Sequence, residues 1–197
     1  MFRDVFTFLI PDLITVKGKR VIIYCTETCL KALERSTTSF TDGTFQTSPM
    51  HFAQTFILRA MIDDIYVPIA FCFLEDEKYC SYKLALETLR EAAPRWDPRG
   101  VVSDFERGEL KAIREVFPNL EWLQGCHFHY CQCQLKRYKK AEGYNSDVEL
   151  RDVLIKTIAL PFLPPDDVQK GWKLIRSALL PAYPAAERYV DYLSQPG

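Results

Sequence analysis

The sequence predicts an α/β fold built around a mixed β-sheet, and three observations carry that prediction. Three successive stretches rich in β-branched and aromatic residues are separated by turn formers; the period then changes to helical; and two short apolar runs alternate with helical segments. The order is β-β-β-α-β-α-β-α, followed by a helical region. Composition agrees with it. The 197 residues are 48% hydrophobic and 26% charged, which suits one full domain with part of a second and excludes disordered, collagen-like and coiled-coil chains.

The elements follow in order along the chain. The first segment, to about Lys19, mixes aromatics with Pro11 and Gly18 and gives no clean period, so it is left unassigned. Val21 to Tyr24 is a short β-branched run, and Thr26 to Leu33 reads as a helical turn capped by Thr26 or Thr28, with Leu30 and Leu33 inward. Thr37–Thr47, Phe52–Met61 and Tyr66–Leu74 read as strands, with turn formers at 48–51 and 62–65, and should form an antiparallel meander. Lys78 to Ala93 puts Tyr82, Ala85, Leu86, Leu89 and Ala93 on one helical face and stops at Pro94. Gly100–Ser103 is a buried-type strand. The next helix, about Glu106 to Val116, turns Leu110, Ile113 and Val116 or Phe117 inward and is stopped by Pro118. Leu120–Leu123 is a further strand. Helices are then expected at roughly 127–141, 147–160, 166–180 and 184–194, broken by Gly143-Tyr144-Asn145, Pro161, Pro164-Pro165 and Pro181.

A meander followed by a strand reached through a helix sets the fourth strand parallel to the first, by a right-handed crossover. That is the ribonuclease H-like arrangement. The expected division is a lead-in over 1–34, a core over 35–142 and a helical region over 143–197. Charge is balanced, with 25 Lys+Arg against 26 Asp+Glu and a net charge of -1, so any nucleic-acid contact must come from local basic patches. The longest apolar stretch, Ile65 to Leu74, is about half of the roughly 20 residues a membrane span needs. The N-terminus carries Asp4 and no small-residue cleavage site, which excludes a secretory signal. Seven cysteines, an odd number, fit reduced thiols inside the cell.

Two aspartates are candidates for chemistry. Asp42 lies in the middle of an otherwise uncharged stretch, TSFTDGTFQT, where a carboxylate is either exposed, paired or one of the two central residues of an Asp42-Gly43 hairpin turn. Asp104 follows the apolar run GVVS, where Ser103 or Asp104 could instead cap the next helix, Ser103 and Glu106 matching a capping box. If their strands are neighbours, at about 4.8 Å, the two carboxylates can share a divalent cation. Two acids around Mg²⁺ or Mn²⁺ are what phosphodiester chemistry uses, and a third normally completes the cage.

Two further clusters stand out. Cys126-His127-Phe128-His129-Tyr130-Cys131-Gln132-Cys133 holds two of the three histidines and three of the seven cysteines. Cys126 and His129 make half a zinc site, but no second pair lies close by; Cys25 and Cys29 are distant in sequence, so zinc is not expected. Buried thiols beside an aromatic helix are the alternative, and Cys126 and His129 at the sheet edge near Asp42 and Asp104 are the functional one. Lys136-Arg137-Tyr138-Lys139-Lys140 is the only compact basic run: it reads either as a phosphate-binding patch with Tyr138 stacking on a base or as a solvated helix end.

Together these residues resemble the transposase domain of Mutator-like elements, the MULE domain, a member of the ribonuclease H-like DDE transposases. Thr41-Asp42-Gly43-Thr44-Phe45 is similar to the first-acid motif and Val67-Pro68-Ile69 to the third strand. Val102-Ser103-Asp104-Phe105-Glu106 resembles the second-acid motif, and Cys126-His127-Phe128-His129 the Cys-x-x-His signature, all in the family's order over about Arg35 to Lys140. The resemblance implies that Asp42 lies within the first strand and that Asp42 and Asp104 bind Mg²⁺ or Mn²⁺. It also implies that Cys126 and His129 sit at the site's edge, that the substrate is DNA at transposon ends, and that the location is nuclear; homo-oligomers are compatible with it.

In this family the third acid is a glutamate after a helical insertion, preceded by Asn-Asn, and no such segment occurs here. Glu187 is the best-placed acid by order, but its helical setting makes it a surface residue. The expectation is therefore an incomplete or inactive DNA strand-cleavage domain. The rival is a domesticated, catalytically silent protein that binds DNA or other proteins; a stand-alone exonuclease and a zinc module rank below it.

Overall fold

The computed structural model describes residues 14–16, 19–44, 48–140, 146–183 and 187–194. The lead-in before Ile14, Phe45 of the first-acid motif and the break at Gly143-Tyr144-Asn145 lie outside them. The chain divides into two compact units, Met1–Cys126 and His127–Gly197.

The first unit is a seven-stranded mixed sheet. Its strands are β1 (Ile14–Val16), β2 (Lys19–Cys25), β3 (Thr38–Thr44), β4 (Gln54–Ile62), β5 (Ile65–Leu74), β6 (Gly100–Ser103) and β7 (Trp122–Gly125), in the spatial order β1-β2-β5-β4-β3-β6-β7. β3, β4 and β5 form the expected antiparallel meander. Its β4–β5 hairpin turns on Asp63-Asp64, both at positive φ (48° and 62°), the conformation a two-residue type I′ loop requires. β6 pairs in parallel with β3, as expected, and β7 in parallel with β6. On the other side β2 pairs antiparallel with β5.

Three helices belong to this unit: α1 (Glu27–Leu33), α2 (Tyr79–Ala92) and α3 (Arg107–Val116). Thr26 caps α1 by accepting a hydrogen bond from the Cys29 N–H at 3.1 Å. α2 buries Tyr82, Ala85, Leu86 and Leu89, the face its 3.6-residue period sets. These pack with Val21, Ile23, Phe56, Leu58, Ala70, Cys72 and Leu74, alternate residues of β2, β4 and β5, in one core. α3 departs from expectation in one residue. Its buried stripe is Glu109, Ala112, Ile113 and Val116, while Leu110 is half-buried. β7 also begins two residues later than expected, because Leu120 hydrogen-bonds back to Phe117 in a turn that closes α3.

The second unit contains α4 (His127–Tyr138), α5 (Val148–Lys156), a 3₁₀ turn at Thr157–Phe162, α6 (Pro165–Ala182) and α7 (Glu187–Ser194). Pro161 falls inside the 3₁₀ turn and Pro181 inside the last turn of α6, so neither ends a helix where the sequence reading put a break. A proline one residue from a helix end forgoes a single backbone bond, a cost the packed final turn absorbs. Tyr138, Leu150, Leu154, Leu179, Tyr189 and Val190 form this unit's core. Among the described residues no helix is long and apolar enough to cross a membrane.

Candidate active site at the ends of two parallel strands

The site is built by the register of β3 against β6. Thr38 pairs with Gly100, Ser39 with Val101 and Phe40 with Val102. Each pair is 62 residues apart, the same separation as Asp42 from Asp104, and the parallel ladder ends at Phe40 and Val102, two residues before each aspartate.

Asp42 is an interior residue of β3, paired with Ile57 of β4, and Gly43 is paired with Phe56. The hairpin-turn alternative is thereby excluded, since both residues are paired within a strand. Alternation turns Thr41 toward the helices and Asp42 toward the opposite face, where its Oδ2 meets the Arg59 guanidinium at 3.5 Å. Both side chains are about one-third exposed (30% and 33%), so the ion pair is a weak restraint that a cation can displace.

Asp104 stands where the chain leaves β6 for α3. Its Oδ1 accepts a hydrogen bond from the Glu106 N–H at 2.8 Å, which fixes the bend without a capping box. The box fails because Ser103 is a strand residue and Glu106, at the cap position, makes no side-chain cap bond. The Ser103 hydroxyl donates at 2.6 Å to Oε1 of Glu109, and the Thr41 hydroxyl makes a very short bond to the same oxygen.

Glu109 is the functional candidate the sequence reading missed. Only 1% of it is exposed, and burial, followed by the charge of Asp104, pushes its carboxyl from an ordinary value near 4.5 up to about 8. The available signal was its spacing: three, four and seven residues before Ala112, Ile113 and Val116, it lies on the inward stripe. The acid is protonated in the fold while the unfolded chain is ionised. Its contribution to stability is therefore intact below about pH 4.5 and is lost as the pH rises toward about 8. Asp104 and Tyr82 are ionisable groups that interact with it. Glu109→Gln should flatten that fall, a change read from urea midpoints of both chains at pH 5, 6, 7 and about 8.

The Cys126 N–H donates to the Ser103 carbonyl at 2.6 Å, which keeps Cys126 one residue from the Asp104 strand end. His129 is on α4 in the second unit. His127, also on α4, contacts the Ile158 carbonyl through Nε2 at 3.0 Å and the Cys131 thiol at 3.5 Å. Burial pushes the Cys25 thiol up to about 12. Among the described residues no group of three or more His, Cys, Asp or Glu is arranged to hold a metal ion.

Lys136, Arg137, Lys139 and Lys140 are exposed at the C-terminal end of α4 and just beyond it. Tyr138 is not available for stacking. It is fully buried, hydrogen-bonded to Thr157 and edge-on to Tyr189 at 4.9 Å, because its position faces the second core. Glu187 is exposed at the start of α7.

Residues 38–133, from β3 through most of α4, match the family model of the MULE transposase domain. This segment is a MULE transposase domain. The resemblance drawn from Asp42, Asp104 and the Cys126-to-His129 signature thus names the family that the match finds, and the MULE segment points to a transposase-like function. No curated protein matches the chain.

Proposed function

We propose that residues 38–133 are a DNA strand-cleavage core of the DDE type on a ribonuclease H-like sheet, with Asp42 and Asp104 as its acids. The observation that supports the proposal is the parallel pairing of β3 with β6, whose ladder ends two residues before Asp42 and Asp104. Two carboxylates are hard oxygen donors, which suits Mg²⁺ or Mn²⁺ with water in the remaining positions. Such an ion supplies an activated nucleophile and stabilises the leaving oxygen in phosphodiester chemistry. The chain's own part is to hold the two acids in register, with Arg59 balancing Asp42 until a cation arrives and Cys126 fixing the end of β7 beside Ser103.

The chain offers no glutamate in an Asn-Asn-containing segment. In this reading it carries two of three acids, an incomplete or inactive transposase domain that acts on transposon ends in the nucleus. The second reading is a catalytically silent binder, favoured by the exposure of Lys136, Arg137, Lys139 and Lys140.

One substrate, duplex DNA carrying terminal inverted repeats, tests both. The chain is expected to bind with strong salt dependence, replacement of the four cations reducing the logarithmic slope by as much as about 3–4. It is expected to nick slowly, only with Mg²⁺ or Mn²⁺, and Asp42→Ala should remove the nicking. Binding without any metal-dependent nicking selects the silent binder. Robust cleavage that Asp42→Ala abolishes keeps the site and overturns the incompleteness.

A further inference from the structure

We infer that Glu109 is a positioning residue: its buried carboxyl ties β3 to β6 one residue before each aspartate and so fixes how far apart Asp42 and Asp104 stand. The inference rests on the reading of those aspartates as the acids of the site.

The backbone ladder between the two strands ends at Phe40 and Val102. The next residues, Thr41 and Ser103, are joined through a side chain from α3, both hydroxyls donating to the single atom Oε1 of Glu109. The clamp begins where the ladder stops, and each strand carries its aspartate at the following position. The Thr41 hydroxyl also lies 3.4 Å from the Val102 carbonyl, a second link across the same gap.

Packing alone does not call for an acid here. The other buried members of the α3 stripe are Ala112, Ile113 and Val116, and a leucine among them would avoid burying a carboxyl. An apolar residue would leave the Thr41 and Ser103 hydroxyls, both within the sheet's buried face, without their common acceptor. Glu109 therefore trades stability for a fixed separation of two strand ends.

The test compares Glu109→Leu, which fills the stripe and removes the acceptor, with Glu109→Gln, whose amide oxygen still accepts both hydroxyl protons. Amide hydrogen exchange of the full chain without metal reads the clamp itself. Mn²⁺ titration followed by electron paramagnetic resonance reads its consequence. Glu109→Leu should speed exchange in segments 41–44 and 103–106 about tenfold while the thermal midpoint holds or rises. It should weaken Mn²⁺ binding about 10–100-fold, the range expected when a group supporting a metal ligand is lost. Glu109→Gln should restore both. Exchange in Glu109→Leu indistinguishable from wild type overturns the clamp, and loss of Mn²⁺ in Glu109→Gln as complete as in Glu109→Leu overturns the positioning role, since the charge would then be the ligand. A wild-type chain that binds no Mn²⁺ refutes the reading of the aspartates instead, and the exchange comparison still decides whether Glu109 holds the strands.

Discussion

A chain carrying Asp42→Asn and Asp104→Asn together is expected to lose divalent-cation binding altogether, and either change alone to weaken it by more than the roughly 10–100-fold that loss of an outer-shell partner costs. The expectation follows from the donor set. Each substitution replaces a charged oxygen pair with a neutral amide of the same shape, which leaves one carboxylate of the proposed pair to hold the ion. Unfolding would not account for the loss. The Asp42–Arg59 pair is about one-third exposed, and such pairs contribute about 1 kcal/mol or less. At the other position the asparagine oxygen still accepts the Glu106 N–H, and the change removes the charge that, after burial, raises the Glu109 carboxyl. Mn²⁺ titration of the four chains in the mutant cycle measures the effect. Unchanged affinity in the double variant would dissociate these residues from any cation site.

The largest effect on stability is expected from Trp96→Ala. The side chain is 1% exposed, its ring meets Phe117 edge-on at 4.7 Å, and its Nε1–H donates to the Ser39 hydroxyl at 3.1 Å. Truncation leaves a cavity beneath β3 and should cost about 3–5 kcal/mol, out of the roughly 5–15 kcal/mol typical of a domain. Trp96→Phe keeps most of the volume and isolates the hydrogen bond, whose loss leaves the buried Ser39 hydroxyl without its donor at a cost of about 1–3 kcal/mol. Urea unfolding followed by circular dichroism separates the two contributions. A Trp96→Ala chain within 1 kcal/mol of wild type, about the size of an average mutational effect, would show that this pocket closes on itself.

The strand meander and α2 were legible because their periods differ and each buries one face only. β3 was ambiguous for a local reason. Asp42-Gly43 is a good turn dipeptide, and only pairing with Ile57 and Phe56, remote in sequence, decides against the turn. Asp63-Asp64, which does turn, carries no glycine, yet it falls within the turn formers read at 62–65. Glu109 was overlooked because a charged residue beside Leu110 reads as the solvent side of α3, whereas hydroxyls from two other strands supply what the carboxyl needs. Tyr138 lay within a run of cations and so read as surface, although a helix turns each residue by about 100° and its face belongs to the second core. β1 was obscured by Gly18 and mixed polarity, and β2, of which only the β-branched run Val21–Tyr24 was read, joins the meander through an edge that β5 offers from far along the chain.

Gly125, the last residue of β7, has a consequence for the loop that bears Asp104. A Cβ built at Gly125 would come within 2.5 Å of the Phe105 ring, so that aromatic side chain occupies the space a side chain here would need. An extra methyl there would act as a wedge, lifting the ring and levering its immediate neighbour, Asp104, out of line. The aim of the proposed acid Asp104 can therefore be spoiled by the smallest possible enlargement, made on a different strand, at a residue with no functional group of its own.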